Sequence, residues 1–204
     1  MRTRVKQAMK QALVPLSLLL GACASVPPAH EHPGLKLADR CHECGTPERL
    51  GLKLAPAALG AAFSVQQHLR VERGGRSDEL DAALEVDAAH LELVGLAFGQ
   101  RVLTLHYDGR ELTSWRHVML PSQVRADDVL EDLQLALWPA AAIQQALPAG
   151  WRIEEQGLQR TLFSGDAPVA QIAYSGLPRW SGTVVLDNLR YHYRLTIQTA
   201  PAIE

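Results

Sequence analysis

The chain has 204 residues, of which 47% are hydrophobic, and its 20 basic and 22 acidic residues give a formal charge of −2 at neutral pH. This length suits a single domain with a substantial core. The lack of a basic excess argues against nucleic acid as a partner. No stretch approaches the roughly 20 apolar residues that a membrane-spanning helix needs.

The first 22 residues have the pattern of a removable export signal. Four basic side chains within the first ten residues precede an apolar run over residues 12–20. The motif Leu20-Gly21-Ala22-Cys23 then resembles a lipobox, in which the Cys23 thiol takes a diacylglyceryl group. An ordinary secretory peptide with an incidental cysteine is the alternative. Cleavage after residue 22 would leave 16 basic and 22 acidic residues, a formal charge of −6.

Lipidation of Cys23 predicts a protein that is anchored to a membrane. Each buried methylene of an acyl chain contributes about 0.8 kcal/mol, and bacterial lipoproteins generally carry three chains, so attachment should be permanent. Ala24 follows the cysteine, whereas an Asp in this position retains typical Gram-negative lipoproteins in the inner membrane. Resemblance to that class therefore implies the periplasmic face of the outer membrane.

Residues 23–50 are rich in Pro, His, Gly and charged residues and predict a flexible tether before a domain over residues 51–204. Cys41 and Cys44 lie in this tether. In the periplasm two such thiols favour a disulfide. A metal site or a redox pair is the alternative, but ordering a tether around a metal costs entropy. A redox cysteine also needs a strand-to-helix context that the flanking residues lack. We therefore expect a disulfide and no metal.

Alternation of apolar and polar residues predicts a series of strands in the first half of the domain. They cover residues 63–71, 80–86, 90–96, 101–107 and 110–115. Gly74-Gly75 and Asp108-Gly109 are turn signals, and the second predicts a two-residue hairpin loop. Strands in this order predict an antiparallel meander.

The period then changes to that of a helix over residues 128–138, where Asp128 and Glu131 resemble a capping box. Pro139 ends this helix, and residues 140–147 predict a second short one. Strand patterns return at residues 151–155, 159–163, 169–174, 183–186 and 189–198. This order predicts an α+β fold that is mostly antiparallel β. A curved sheet or incomplete barrel would be plugged on its concave side by helices from the central insert.

Four segments together resemble an uncharacterised bacterial lipoprotein family, the domain of unknown function 3261, which is often encoded with aryl-polyene biosynthesis genes. They are the lipobox, residues 84–109, residues 132–139 and residues 188–197. The resemblance covers roughly residues 50–199. The order of strands and helices is also similar to that of the LolA/LolB lipoprotein-localisation factors. In LolB a half-barrel binds acyl chains, and a protruding loop with an exposed apolar residue assists their transfer.

The second resemblance implies a lipidated cargo, either a lipoprotein or an aryl-polyene lipid, and a LolA-like periplasmic carrier as a partner. It also implies a lipid-transfer loop at Leu96 and Phe98, with Phe98 in place of the family's exposed Leu. Burial of both side chains in the core is the alternative. Candidate residues for the lining of an apolar cavity are Leu133, Leu137, Trp138, Tyr191 and Tyr193. They too could simply be core residues.

We therefore expect an outer-membrane-anchored lipoprotein that accepts a lipidated cargo in an apolar groove, without a cofactor. Nucleophile elbows, phosphate loops and zinc-protease motifs are absent from the sequence. His68, His90, His106 and His192 fall on the polar parity of predicted strands, which argues against an enzyme. A non-catalytic scaffold or interaction lipoprotein for a membrane biosynthesis or export complex is the alternative, with a filled core and an exposed apolar patch.

Overall fold

The computed structural model of the protein describes residues 49–200. Cys23, Cys41 and Cys44, together with the predicted signal peptide and most of the predicted tether, lie outside the described residues. The described part contains ten strands, two α-helices and a short 3-10 helix (Pro56–Leu59). Neither α-helix in this part has the length and hydropathy needed to span a bilayer.

The ten strands form one antiparallel sheet. They are β1 (Phe63–Arg73), β2 (Arg76–Val86), β3 (Leu91–Ala97), β4 (Gln100–Tyr107), β5 (Leu112–Arg116), β6 (Trp151–Gln156), β7 (Gln159–Ser164), β8 (Ala167–Tyr174), β9 (Thr183–Asn188) and β10 (Tyr193–Thr199). Their spatial order is β5-β4-β3-β2-β1-β10-β9-β8-β7-β6, so the first and last strands pair at the centre. The strands on either side of the helical insert, β5 and β6, lie at opposite edges. The predicted α+β fold with an open, curved, antiparallel sheet is confirmed.

The alternation in the sequence determines which face of the sheet is buried. Val65, Leu84, Leu93 and Leu105 lie directly opposite one another across β1 to β4. Three of these four side chains are buried and Val65 is half-buried, whereas the residues between them point to the other face. Strands β1 to β4 therefore each contribute one residue to a continuous apolar row.

Helices α1 (Ala126–Leu137) and α2 (Ala140–Ala146) form the central insert. Helix α1 is buried over most of its length, and Leu130 and Ala136 have no exposed surface. It contacts the central strand β10 and strand β8. The Tyr193 hydroxyl of β10 donates to Asp132, and the Tyr174 hydroxyl of β8 donates to the Ala136 carbonyl. The helix thus lies on the inner side of the sheet, as the order of elements predicted.

Residues 49–55, which we call the strap, run along α1 and are bonded to it repeatedly. The Gly51 amide donates to the Glu131 carboxylate at 2.7 Å. The Gln134 side chain pairs with both the amide and the carbonyl of Leu54, at 3.0 and 2.9 Å. Further along, Trp138 Nε1 donates to the carbonyl of Ala55 at 3.1 Å. The first two strap residues, predicted as tether, therefore pack within the domain.

Two predicted turns differ from the observed ones. The loop between β4 and β5 has four residues, 108–111, because the Asp108 carboxylate accepts hydrogen bonds from the amides of Arg110 and Glu111. This Asx-type arrangement replaces the two-residue hairpin that was predicted. The last strand begins at Tyr193, not at residue 189 as predicted. Residues 189–192 form a turn, in which His192 has a left-handed φ of 54°.

The predicted capping box at the start of α1 is also wrong. The helix begins at Ala126, so Asp128 lies within the first turn and not at the cap. The Glu131 side chain does not turn back to this end of the helix; it binds the amide of Gly51 in the strap. Glu131 therefore makes a long-range contact with the strap instead of the predicted contact at the start of its own helix.

Candidate functional site

The β3–β4 hairpin ends in an exposed apolar tip. Phe98 is 94% exposed, and Leu96 also lies at the surface. Both positions are compatible with the lipid-transfer loop predicted from the family resemblance, and the alternative that these side chains belong to the core does not hold. Phe98 has a left-handed φ of 53°.

Three more exposed apolar side chains adjoin this tip, at the end of β5 and in the loop that follows. They are Trp115, Val118 and Met119, and Val118 is 90% exposed. Leu96 pairs with Arg101, whose guanidinium lies 5.2 Å from the Trp115 ring centre. The contacts continue from Trp115 to His117 and from the His117 ring to the Met119 amide. We call the five apolar side chains Leu96, Phe98, Trp115, Val118 and Met119 the apolar rim.

The loop after β5 is held in place by polar contacts. Arg116 Nη1 donates to the carbonyls of Leu120 and Pro121, at 3.1 and 3.0 Å. The His117 amide donates to the carbonyl of Val102 at 2.8 Å, so the loop continues the edge of the sheet. Val118 and Met119 therefore project from a fixed turn.

The apolar rim lies at the same end of the sheet as the start of the strap. Antiparallel pairing places the β1–β2, β3–β4, β7–β8 and β9–β10 turns at one end, which we call the rim end. Arg49 packs over the Tyr191 ring of the β9–β10 turn, at 4.3 Å from its centre. Arg73, at the tip of β1, donates to the carbonyl of Tyr191. The described chain therefore enters the fold at the rim end.

A partly buried charged cluster forms where the strap crosses α1. The Arg49 guanidinium lies 3.0 Å from Asp132, 3.5 Å from Asp128 and 3.7 Å from Glu131. It also donates to the Tyr193 hydroxyl at 3.1 Å, while that hydroxyl donates to Asp132 at 2.5 Å. One arginine is thus shared by three carboxylates, which leaves the cluster with an excess of negative charge if all are ionised.

Burial dominates the ionisation of this cluster. It raises the pKa of Asp132 and of Glu131, against the opposing effect of Arg49. Burial and the neighbouring Asp132 raise the pKa of the Tyr193 hydroxyl. Burial alone would lower the pKa of Arg49, but Asp132, Tyr193 and Asp128 raise it, so the guanidinium stays charged. These ion pairs and hydrogen bonds attach the strap to α1.

The interior beside this cluster contains a small cavity, and an open pocket of about 480 Å³ lies at the surface, lined mostly by polar residues such as Glu72, Asp187 and Arg194 together with Tyr193. A cavity of about 10 Å³ is lined by residues including Leu50, Leu135, Trp151 and Tyr191. This volume is about that needed for one water molecule. The Tyr191 hydroxyl is buried and has no hydrogen-bond partner among residues 49–200. An acyl chain does not fit in the small cavity while α1 is in place.

Most of the predicted cavity-lining residues are packed against the protein itself. Leu133, Leu137 and Trp138 are buried in the core formed by α1 and the sheet. Tyr193 places its hydroxyl in the charged cluster. Of the five residues, Tyr191 lines the small cavity and Tyr193 lines the open, mostly polar pocket. The apolar pattern in the sequence is therefore largely used to fill the interior.

The predicted solvent-facing histidines are confirmed for His68, His106 and His192, whereas His90 is half-buried. The His90 ring centre lies 5.7 Å from that of His106. Within the part of the chain that the structure describes, no three His, Cys, Asp or Glu side chains converge as a metal would require.

The sequence model of one protein family, described as protein of unknown function (DUF3261), matches residues 64–201. The chain belongs to this family. A comparison with curated protein sequences gives no match. Among solved structures, the crystal structure of a DUF1329 family protein from Desulfovibrio piger aligns with this DUF3261 chain at a TM-score of 0.33 and 11% identity, over 74% of this chain and 88% of that one.

The second buried polar site of the DUF3261 chain lies at the C-terminal end of α1. Arg160 is fully buried and donates to the carbonyl of Leu135 at 2.5 Å and to Glu155 at 2.7 Å. The Tyr174 hydroxyl donates to the carbonyl of Ala136 at 2.7 Å, and burial raises the pKa of Tyr174 to about 12. Both side chains satisfy carbonyls that a helix end leaves unpaired. Sequence reasoning missed this site and the Arg49 cluster.

The raised pKa of Glu131 predicts a pH-dependent effect of Glu131→Gln. A carboxyl whose pKa is raised in the folded state favours folding most below its unfolded pKa, and that advantage is lost as pH rises through the folded value. Gln does not titrate, so the stability of the variant relative to wild type should increase between pH 4.5 and pH 7.5. Urea unfolding at the two pH values measures the change. A difference that is constant or falls with pH contradicts the prediction.

Proposed function

We propose that this DUF3261 protein is a non-catalytic lipoprotein, anchored through Cys23 at the periplasmic face of the outer membrane, that accepts a lipidated cargo. The cargo is a lipoprotein or an aryl-polyene lipid, and a LolA-like periplasmic carrier delivers it. The main support for this proposal is the exposure of Phe98. Its side chain is 94% exposed at a hairpin tip, and its backbone is left-handed.

Phe98 is costly for the isolated protein in two ways. A left-handed φ is rare for residues other than Gly, Asn and Asp, and it strains a bulky residue. The ring also remains in water, although full burial of a Phe side chain is worth roughly 1.5–3 kcal/mol. Strained residues that the fold retains cluster at functional sites. Contact with an acyl chain at this tip would recover the hydrophobic term.

The apolar groove expected from the sequence is filled by the protein's own side chains in the described part, so the proposed first contact is at the rim. Helix α1 and the strap occupy the inner side of the sheet, and the cavity of about 10 Å³ beside them has no room for a chain. A cargo chain could enter the interior only after α1 had moved. The apolar rim, in contrast, is accessible without any rearrangement.

Replacement of Phe98 by glycine separates this function from stability. Glycine adopts φ 53° without strain, so the free energy of unfolding should be unchanged or higher by up to about 1 kcal/mol. Transfer of a fluorescent triacylated lipopeptide, from a LolA-like carrier to vesicles that hold the protein, should slow by roughly tenfold or more. This factor is that expected from the loss of about 1.4 kcal/mol of apolar contact.

Phe98→Leu is the matched control, because it keeps an apolar side chain at the tip while it changes its shape. Its transfer rate should stay within about threefold of wild type, since the two side chains have similar burial energies. Equal rates for wild type and Phe98→Gly would remove the support for the cargo function. Slow transfer by Phe98→Leu together with normal transfer by Phe98→Gly would contradict it as well.

The packed interior favours a second candidate, a scaffold lipoprotein for a membrane biosynthesis or export complex. A filled core with an exposed apolar patch is the arrangement expected for protein association. Cross-linking at the rim in intact cells distinguishes the two functions. Stoichiometric capture of one membrane-complex protein, with no lipidated cargo and unchanged lipopeptide transfer by Phe98→Gly, would support the scaffold.

A further inference from the structure

We infer that the rim end docks on an anionic phospholipid surface, with Val118 and Met119 inserted and Arg101, Arg116 and Arg125 facing the phosphates. This inference goes beyond the proposed function, because it requires no cargo and rests on a different loop. It assigns the loop after β5 to the membrane.

The apolar part of this surface is the turn that follows β5. Val118 is 90% exposed and Met119 61% exposed, and Arg116 fixes the turn that presents them. Trp115 is exposed beside them with Arg101 against its ring. An aromatic ring with one apolar side and a nearby cation is typical of side chains at a membrane–water interface. The turn is therefore suited to shallow insertion.

The charge around this turn is complementary to an anionic surface. Residues 94–104 and 115–125 contain three arginines and no acidic residue, although the whole chain has more acidic than basic residues. Among the ion pairs of residues 49–200, none involves Arg101, Arg116 or Arg125. Arg101 lies against the exposed Trp115 ring and Arg116 holds the turn of Val118 and Met119, while Arg125 is exposed just before α1. None of the three has a carboxylate partner in the described part. This combination attracts anionic headgroups.

The opposite end of the sheet also exposes apolar side chains, Leu158 and Leu177, but it differs in charge. Arg179 in its β8–β9 loop is paired with Glu155. The β2–β3 turn at this end contains Asp87, and the β4–β5 loop contains Asp108 and Glu111. The two aspartates have lowered pKa values, because backbone amides of their own loops donate to them, and both remain ionised at neutral pH. An anionic membrane would therefore repel that end. The rim end also carries Asp78, Asp166 and Asp187, so the docking surface is limited to the turn after β5 and the adjoining β3–β4 tip, whose residues include no acidic side chain.

The path of the chain agrees with this orientation. Arg49 enters the fold at the rim end, against the Tyr191 ring. Cys23 precedes Arg49 by 26 residues. The described part of the chain therefore begins at the end that carries the proposed docking surface.

Fluorescence of Trp115 tests the contact directly. The mature protein purified from membranes is reconstituted in vesicles of phosphatidylethanolamine with brominated phosphatidylglycerol, which quenches rings at the interface. Wild type should be quenched more than Trp115→Phe, and the difference isolates Trp115 from the other three tryptophans. The quenching should weaken in 0.5 M salt, because salt screens the arginines. Equal quenching of both proteins overturns the inference.

Matched variants at the two ends of the sheet distinguish insertion of the rim end from an effect of any added charge on membrane binding. Val118→Asp with Met119→Asp should abolish the Trp115 quenching, whereas Leu158→Asp, at an exposed apolar site on the opposite end, should leave it unchanged. Arg125→Gln should reduce the ratio of docked to undocked protein about fivefold. Arg110→Gln, in the β4–β5 loop, should not reduce it. Equal effects of the variants at the two ends overturn the docking surface.

The same vesicles distinguish failure of this inference from failure of the proposed function. If Trp115 is quenched normally but lipopeptide transfer does not depend on Phe98, the cargo function fails and docking stands. If transfer depends on Phe98 but Trp115 is not quenched, docking fails and the cargo function stands.

Discussion

Replacement of Arg160 by methionine is expected to lower the free energy of unfolding by about 3–5 kcal/mol, the range for breaking a buried ion pair from one side. The guanidinium is fully buried and binds Glu155 through two nitrogens, at 3.1 and 2.7 Å. Methionine fills much of the volume but donates no hydrogen bond. The variant would therefore leave both a partly buried carboxylate and a helix carbonyl without their partner.

The size of this effect follows from the position of Arg160 at the end of α1. The carbonyls of Leu135 and Ala136 lie in the last turn, where a helix provides no internal donors. Arg160 donates to Leu135 at 2.5 Å, and its positive charge also opposes the negative end of the helix. A buried carbonyl without a donor costs about 1–3 kcal/mol. Loss of the guanidinium thus detaches the end of α1 from β7.

Urea unfolding followed by tryptophan fluorescence measures this loss, with Arg152→Met as the control. Arg152 also lies on this half of the sheet and pairs with a glutamate, Glu154, at 2.8 Å, but both side chains are exposed. Exposed pairs contribute about 0–1 kcal/mol. A loss for Arg160→Met that is no larger than that for Arg152→Met would mean that Arg160 does not hold the helix.

The stability contributed by Glu155 should also depend on pH. Burial opposes ionisation of this carboxyl, but Arg160 and Arg179 outweigh it and lower its pKa. A lowered pKa gives stability that is present above the unfolded value and is lost as pH falls through the folded value. The destabilisation by Arg160→Met should therefore be smaller in acid than at neutral pH.

The strands and the order of elements could be predicted because burial imposes a period of two on them. In β2, for example, Ala82, Leu84 and Val86 are buried and Glu85 is exposed. The period of two in β7 also predicts burial of Arg160, because Arg160 lies on the same face as the apolar Leu162. A charged residue on an apolar face is rare unless it is paired. That pattern is typical of a buried ion pair.

The Arg49 cluster had no comparable signal. It joins residues 83 positions apart, Arg49 and Asp132, from a segment without hydrophobic periodicity. The β9–β10 turn was missed for a different reason. Alternation of apolar and polar residues continues through residues 189–198, although His192 is left-handed and the strand begins only at Tyr193. Periodicity reports on which face a residue belongs to, not on the backbone angle at a turn.

The choice between a groove and a filled interior also lay beyond the sequence. Leu133, Leu137 and Trp138 have the same apolar pattern whether they face a guest or the protein's own core. Only the positions of the surrounding atoms decide between the two. Similarly, Val118 and Met119 resemble core residues in a sequence, and their exposure follows from the polar contacts of Arg116 that fix their turn.

Replacement of Arg49 by methionine is expected to lower the free energy of unfolding by about 2–4 kcal/mol, less than for Arg160 because the Arg49 side chain is 20% exposed. Without the guanidinium, Asp132, Asp128 and Glu131 repel one another in a partly buried site. The strap should then loosen from α1. Amide hydrogen exchange should increase in residues 49–55 and in α1, while the central strands β1 and β10 remain protected.

Lys53→Met is the control for this variant, because Lys53 lies in the same strap and pairs with Asp127 at the surface, at 3.5 Å. It should change the free energy of unfolding by less than about 1 kcal/mol. The double variant Arg49→Met with Asp132→Leu should recover part of the loss, since an apolar pair can replace a buried ion pair.

The pH dependence of the free energy of unfolding tests the attachment of the strap to α1 independently. Burial already raises the pKa of Asp132 and Glu131, and removal of Arg49 should raise both further. Acid neutralises the carboxylates that would otherwise repel one another, so the destabilisation by Arg49→Met should be smaller at pH 4.5 than at pH 7.5. A loss that grows in acid, or faster exchange spread evenly over the sheet, would mean that the charged cluster does not fasten the strap to α1.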